Sequence, residues 1–284
     1  MSLILDHVNY IYNPGTTFEK HALKDVCLTI PDGEFIGLIG HTGSGKSTLI
    51  QHLNGLISPT SGTVYYNGAD ISDRDFEKKK LRAEVGLVFQ YPEYQLFEST
   101  VSRDVLFGPT NLGVKQLDAE LAAYSALESV GITEELLDAS PFDLSGGQKR
   151  RVAIAGVLAM KPKMLVLDEP AAGLDPVGRR EILDLISKIQ KEQGITVILV
   201  SHSMEDVAEY VERIIVMNKG SVAMDDAPEE IFMRGSELEA MGLDVPEITK
   251  LFARLKREGI DVPENVFTVD MAEKVLKELI DRTV

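Results

Sequence analysis

Apolar positions along the chain fall into two periods. Residues 3–12 alternate as a half-buried strand does, and Asn13-Pro14-Gly15 closes the run with turn residues. Residues 26–30 predict a second strand with Pro31-Asp32-Gly33 as its turn, and Phe35-Ile36-Gly37-Leu38-Ile39 follows as a short buried strand. Residues 63–66 before Asn67-Gly68 read as strand then turn, so the first hundred residues mix antiparallel strands with one buried strand. Three more apolar runs, Val85 to Phe89, Met164 to Leu167 and Ile195 to Val200, have the texture of strands covered on both faces in a parallel sheet. Helical spacing holds over 116–130, with Leu117, Leu121, Tyr124, Leu127 and Val130 in step, and over 177–193, with Ile182, Leu185, Ile186 and Ile189; Gly131 and Gly194 stop these helices. Residues 213–217 and 221–225 flank Asn218-Lys219-Gly220 as a hairpin. From Ser236 the texture changes. One amphipathic helix opens at Pro246-Glu247 with Ile248, Leu251, Phe252 and Leu255 on a face, and a second after Pro263 carries Met271, Val275, Leu276 and Leu279. Two such short helices bury little alone, which predicts packing on the core or on a partner.

Chemistry concentrates at the ends of the buried runs. Gly40-His41-Thr42-Gly43-Ser44-Gly45-Lys46-Ser47, between the strand at 35–39 and Thr48-Leu49-Ile50, fits G-x-x-x-x-G-K-[ST]. A strand, a glycine-rich turn and a helix start aim backbone N–H groups at one spot, where phosphate is bound. Lys46 then supplies a mobile charge for the β- and γ-phosphates and Ser47 a hydroxyl for Mg²⁺. Tyr10 and Tyr12 precede this loop, and an aromatic ring there can stack on adenine. Gln90 ends the run at 85–89, a ligand-facing position in an open α/β sheet. Tyr91-Pro92-Glu93-Tyr94-Gln95-Leu96-Phe97 follows and cannot be a long helix with Pro92 inside it.

Leu144-Ser145-Gly146-Gly147-Gln148 runs into an apolar helix, with Ser145 as its N-cap and two glycines permitting close approach at its positive end, a second anion site. Asp168-Glu169 ends the run from Met164, and its carboxylates fall near the phosphate loop if the two strands are neighbours; Asp168 holds Mg²⁺ through water, and Glu169 polarises the attacking water. His202, after Ser201, is the third polar residue delivered to the same sheet edge. Asn218-Lys219 suggests a guanine reader, but Ser221 stands where that motif requires an aspartate, so GTP is discounted.

Composition narrows the classes. The 284 residues are 44% hydrophobic and 26% charged, as in ordinary globular proteins, in one large or two modest domains. No run of about 18 apolar residues spans a bilayer. The stretch from Met1 to Asp6 lacks the basic region and cleavage pattern of a signal peptide, so a cytoplasmic location is expected. Cys27 is the single cysteine, which forbids an internal disulfide and reads as a small strand residue. A net charge of -16 weighs against nucleic acid as a partner.

The phosphate loop, Gln90, Leu144 to Gln148, Asp168-Glu169, the Gly173-Leu174-Asp175 turn and His202 occur in the order of ATP-binding cassette ATPases, which the chain resembles over residues 1–235. The resemblance implies an α/β fold: a RecA-like core, an antiparallel β subdomain and a helical subdomain at about 91–160 that carries Ser145 to Gln148. It also implies head-to-tail dimers, with each ATP between one phosphate loop and the partner's signature helix. More narrowly, Phe89 to Phe97, Thr100-Val101, Asp104-Val105 and Phe107-Gly108-Pro109 resemble the ATPases of energy-coupling factor (ECF) transporters, importers of vitamins and transition metals. Tyr12-Asn13-Pro14-Gly15-Thr16 and Tyr91-Pro92-Glu93-Tyr94 resemble the second of their two paired ATPases, and residues 236–284 its C-terminal helical extension, a dimerisation or packing element.

By that resemblance, ATP is held by Tyr12, His41, Thr42, Thr48 and the rest of the phosphate loop, with Tyr12 at adenine. Mg²⁺ is held by Ser47, Gln90 and Asp168; Glu169 is the base, Gln90 also serves coupling, and His202 serves the γ-phosphate and water. Ser145, Gly146, Gly147 and Gln148 serve the partner's ATP, and Asp175 belongs to the dimer turn. Ala171-Ala172 departs from the family pattern, in which Thr or Ser is frequent. The expected partners are a second ATPase, in a heterodimer or a homodimer, a transmembrane coupling subunit and a substrate-binding membrane subunit, at the cytoplasmic face of the membrane and without nucleic acid. The rivals are a soluble cassette ATPase of DNA repair or translation, against which the absence of inserted coiled coils or a tandem cassette counts, and a nucleotide-gated scaffold, against which Glu169 and His202 count together.

Overall fold

The computed structural model describes residues 3–283; Met1 and Ser2, the start of the amino-terminal stretch read above, lie outside the described residues, as does Val284. In chain order the elements are β1 (Leu3–Tyr12), β2 (Lys20–Ile30), β3 (Phe35–Ile39), α1 (Lys46–Leu53), β4 (Ser61–Tyr66), β5 (Ala69–Asp70), α2 (Lys78–Glu84) and β6 (Val85–Val88). A helical stretch follows, with α3 (Val101–Leu112), α4 (Gln116–Ser129) and α5 (Gly146–Leu158). The chain then returns to β7 (Met164–Asp168), α6 (Pro176–Gln193), β8 (Thr196–Val200), α7 (Met204–Tyr210), β9 (Arg213–Asn218) and β10 (Ser221–Asp226). It closes with α8 (Pro228–Phe232), α9 (Gly235–Ala240), α10 (Glu247–Arg257) and α11 (Val269–Thr283).

Two sheets organise these elements. A four-stranded antiparallel sheet has the order β2-β1-β4-β5, and a six-stranded sheet has the order β10-β9-β3-β8-β7-β6. The second is parallel except for the β9–β10 hairpin. Its central strands are buried along their whole length because successive side chains enter two different cores. Ile36, Leu38, Val166, Ile198, Val200, Ile215 and Met217 face the antiparallel sheet and α1, while Phe35, Ile39, Leu165, Leu167, Val197, Leu199, Ile214 and Val216 face the helices on the other side.

β8 lies between β3 and β7, so the strand of the phosphate loop and the strand of the two carboxylates are not neighbours. Convergence at the sheet edge comes instead from the shared parallel direction, in which Leu38 pairs with Val200 and Val200 with Asp168. Helix α4 turns a different face inward than its Leu spacing suggests. Ala119, Ala122, Ala123, Ala126 and Leu127 are buried, whereas Leu117, Leu121 and Tyr124 are exposed, because α3 and α5 press close enough to admit only small side chains. At the carboxyl end, Phe252, Val262, Val266 and Ala272 form a small core of their own, and Phe267 ties it to Phe232 with ring centroids 5.8 Å apart.

Candidate functional site

The phosphate loop bends where β3 meets α1. Gly40 (φ +155°), Gly43 (φ +81°) and Gly45 (φ +110°) take backbone angles that side chains resist. A Cβ on Gly40 would also lie 2.5 Å from the Met217 carbonyl and from Ser44 Oγ, and one on Gly45 2.7 Å from the Ala22 carbonyl. The loop is therefore clamped between β9 and β2. The Gly220 amide adds a brace by donating to the Ser44 carbonyl at 2.9 Å, which gives the Asn218-Lys219-Gly220 turn a structural task in place of base reading.

Among the described residues none accepts from the amides of Gly43, Gly45, Lys46 or Ser47, as expected of a helix start that faces an anion. The Lys46 ammonium folds over the loop and donates to the carbonyls of Gly40 at 2.6 Å and His41 at 3.3 Å. Burial lowers its pKa, against the opposing charges of Glu169 and Asp168. These features fit a polyphosphate: a cradle of free donors with one mobile cation at its lip.

Opposite stands Asp168, at the end of β7, with the Ser47 hydroxyl on the same side of the loop. Burial first, and the charge of Glu169 second, raise its pKa above the usual aspartate range, while Lys46 and Ser47 work against the shift. Ser47, Asp168 and the Gln90 amide offer the hard oxygen donors that suit Mg²⁺. Glu169 is next in the chain and adopts φ +51°, a left-handed conformation that costs a non-glycine residue on the order of 1–3 kcal/mol. Its amide donates to the Val200 carbonyl at 3.0 Å, which holds the turn against β8. One carboxylate oxygen, Oε2, receives the Gln90 amide at 3.1 Å and lies 3.2 Å from His202 Nδ1. Three strand ends, those of β6, β7 and β8, thus deliver their polar residues to a single oxygen.

Tyr12 also reaches this region, its hydroxyl 3.2 Å from Thr48 Oγ1 on α1. Tyr10 meets the Tyr12 ring edge-on at 4.8 Å and His52 at 5.0 Å. His52 donates from Nδ1 to the Thr48 carbonyl at 2.7 Å, and burial lowers its pKa against the opposing effect of that hydrogen bond.

The signature segment lies elsewhere. Ser145 caps α5 and forms a reciprocal capping box with Gln148: its hydroxyl accepts from the Gln148 amide at 3.3 Å, and its own amide donates to Gln148 Oε1 at 2.9 Å. Among the described residues no hydrogen bond or ion pair joins residues 145–148 to the phosphate loop. Asp175 caps α6 by accepting from the Gly178 amide at 2.7 Å.

Arg150 and Glu93 were not singled out from sequence, yet they link the parts. Arg150 is 2% exposed. Its Nε and Nη2 donate to Glu93 at 3.0 and 2.7 Å, and its Nη1 donates to the Pro170 and Ala172 carbonyls, both at 2.9 Å. The available signal was the second basic residue after Gln148 facing an acid inside an aromatic segment; run together with Lys149 and Arg151, it reads as a solvated patch.

Comparison with known proteins agrees with this geometry. Residues 23–172 match the ABC transporter family. The chain is 53% identical over 280 residues to the energy-coupling factor transporter ATP-binding protein EcfA2 of Caldanaerobacter subterraneus subsp. tengcongensis, with 98% of each chain covered. It is 52% identical over 281 residues to EcfA2 of Clostridium perfringens, covering 99% of each. Among solved structures it resembles cbiO1 from Clostridium perfringens, part of the ABC transporter complex cbiONQ, with a TM-score of 0.74 and 41% identity over 90% of this chain and 96% of that one. The dimeric cassette MJ0796 in a post-hydrolysis state bound to ADP and Pi gives a TM-score of 0.68 at 30% identity, covering 80% of this chain and 98% of that one. A nucleotide cradle at one sheet edge, near full-length identity to named relatives and the cassette fold place the chain in the ABC transporter family, among the energy-coupling factor transporter ATP-binding proteins.

Proposed function

We propose that this ATPase is the motor of a vitamin or transition-metal importer and that its own residues divide the reaction as follows. Lys46 and the amides of Gly43, Gly45, Lys46 and Ser47 hold the β- and γ-phosphates, Thr42 and His41 line the loop, and Tyr12 packs against the adenine. Ser47, Asp168 and Gln90 hold Mg²⁺, which supplies charge neutralisation on the phosphate oxygens when bound. Glu169 takes the proton of the attacking water. Its Oε2 is occupied by Gln90 and His202, which leaves Oε1 to face water, and His202 adds a donor toward the γ-phosphate. The observation that carries this reading is the meeting of three strand ends on one Glu169 oxygen.

A second ATPase completes each site. Gly146 and Gly147 support this: both follow the N-cap of a regular helix, neither has positive φ, and a Cβ on either would meet nothing within 4 Å. Nothing in the chain's own packing crowds these two positions, which leaves the helix start open to a group outside the chain, the partner's nucleotide. Asp175, in the turn before α6, belongs to the same dimer face. The cassette occupies residues 1–235 with its helical subdomain at about 91–160, and residues 236–284 are its C-terminal helical extension, a packing or dimerisation element.

No helix among the described residues is long and apolar enough to cross a membrane. The reading therefore assigns translocation to a transmembrane coupling subunit and substrate choice to a second membrane subunit, with this chain at the cytoplasmic face. An apolar groove lined by Leu96, Phe97, Phe107 and Met160, next in sequence to the Gln90 segment, supports contact with the coupling subunit.

Glu169→Gln tests the catalytic assignment. ATP binding should persist while turnover falls by roughly 10² to 10⁴, the size of effect expected when a general base is lost. Turnover near that of the wild type would contradict it.

A further inference from the structure

Arg150 has the largest fully buried side chain among the described residues, and its partners form a closed circuit. It lies on α5, two residues after Gln148. Its planar fork grips both oxygens of Glu93 at 3.0 and 2.7 Å, and Glu93 stands three residues after Gln90. Its remaining nitrogen holds the carbonyls of Pro170 and Ala172 at 2.9 Å, and Pro170 follows Glu169 directly. Gln90 and Glu169 then meet each other at 3.1 Å. The backbone between the anchored residues is itself unusual, with Tyr91 at φ +55° and Glu169 at φ +51°. Two left-handed residues beside the reacting groups persist only where the surroundings over-determine them. A buried ion pair is a poor source of net stability compared with apolar packing of equal volume. What a bidentate guanidinium adds is fixed geometry.

We propose that Arg150 and Glu93 are positioning residues that hold the Gln90 amide and the Glu169 carboxylate in reacting register from the signature helix α5. The proposal rests on the reading of Glu169 and Gln90 as reacting groups. Arg150 touches neither; it sets the two loops that carry them, so its loss lowers the rate of the chemical step and spares nucleotide affinity.

The test uses the ATPase assembled with its partner chain and compares Arg150→Lys, Arg150→Met, Glu93→Gln and the Arg150→Lys/Glu93→Gln pair. Turnover, the dissociation constant of ATP from fluorescent-analogue displacement, and melting temperature are measured for each. Arg150→Lys keeps the charge and loses the fork, and should lower kcat about tenfold, a size typical of residues that act through others, with ATP affinity within about twofold of wild type. Glu93→Gln should lower kcat less. The double variant should lose no more than Arg150→Lys alone, because the two residues form one unit. Arg150→Met fills the volume without the fork and should remain slow even where it folds well. A purely structural role predicts the opposite: kcat falling only with the folded fraction, Arg150→Met restored to wild-type turnover, or losses that add. Any of these overturns the proposal. If the Arg150 variants do not fold, Glu93→Gln decides alone, with unchanged kcat overturning the idea. Glu169→Gln run in parallel separates the two levels: an active Glu169→Gln defeats the catalytic reading, whereas an inactive one beside a wild-type-like Glu93→Gln defeats only the positioning role.

Discussion

Two glycine-rich helix starts in this chain look alike in sequence and differ in cause. At the phosphate loop, glycine is demanded from within. Gly40 and Gly45 have positive φ, and a Cβ on either would run into the backbone carbonyl of Met217 or Ala22 at 2.5 or 2.7 Å. At the start of α5, Gly146 and Gly147 have ordinary helical backbone and open space where a Cβ would stand. No internal contact of the chain fills the space beside the second pair, which sits at the first two positions of α5. The first loop is built to be close to its own chain. The second is built to be close to something else, which on the present account is the nucleotide of a second ATPase.

That contrast can be broken at either end. The largest effect is expected at Lys46, the cation inside the first loop. Lys46→Ala should abolish hydrolysis and remove the stabilisation that ATP with Mg²⁺ gives the wild type, about 2.7 kcal/mol at ligand concentrations near 100 times the dissociation constant. Equal shifts in the melting of both proteins would remove Lys46 from the phosphate site. Alanine substitution at the two kinds of glycine comes next. Gly40→Ala should destabilise the free protein, whereas Gly147→Ala should leave melting unchanged or raise it by up to about 1 kcal/mol while hydrolysis in the dimer falls. Full activity in Gly147→Ala would show that nothing approaches that residue closely.

The smallest effect concerns the balance of function against stability at Asp168. Burial and the neighbouring Glu169 hold its pKa above the usual range. For a group raised in this way the penalty is absent below its unfolded value and complete above its folded one, so ionised Asp168 destabilises the free chain at neutral pH. Asp168→Asn should therefore melt higher than wild type at neutral pH in the absence of nucleotide and Mg²⁺, and the gain should shrink as pH falls through the acid range. A gain independent of pH, or a loss, would mean that the charge is accommodated without strain.

Much of this was legible in the chain itself. Unbroken apolar runs ending in Gln90, Asp168 and His202 announced strands whose ends meet, since a parallel sheet places all its carboxyl ends on one edge. Helix stops at Gly131 and Gly194 and the cap at Ser145 are local chemistry, and local chemistry is what a sequence carries most plainly. Long-range placement was less legible. The interposition of β8 between β3 and β7 depends on strand order, which no period encodes. The inward face of α4 was obscured because alanine packing is decided by how near α3 and α5 approach, while its leucines point outward. Arg150 was hidden for a related reason: burial of a guanidinium requires Glu93 and two backbone carbonyls to arrive from distant segments.

A site shared between chains makes one chain's hydrolysis depend on the other chain's Ser145. If the protein forms homodimers, Ser145→Arg chains are mixed with Lys46→Ala chains, each inactive alone. A mixed dimer gathers both lesions in one composite site and leaves the other intact, so ATPase activity should partly return. If it forms heterodimers, Ser145→Arg in this chain should leave its own phosphate loop able to bind ATP and should stop hydrolysis at the partner's loop. No recovery on mixing in the first case, or unimpaired hydrolysis at the partner's loop in the second, would contradict a site shared between chains.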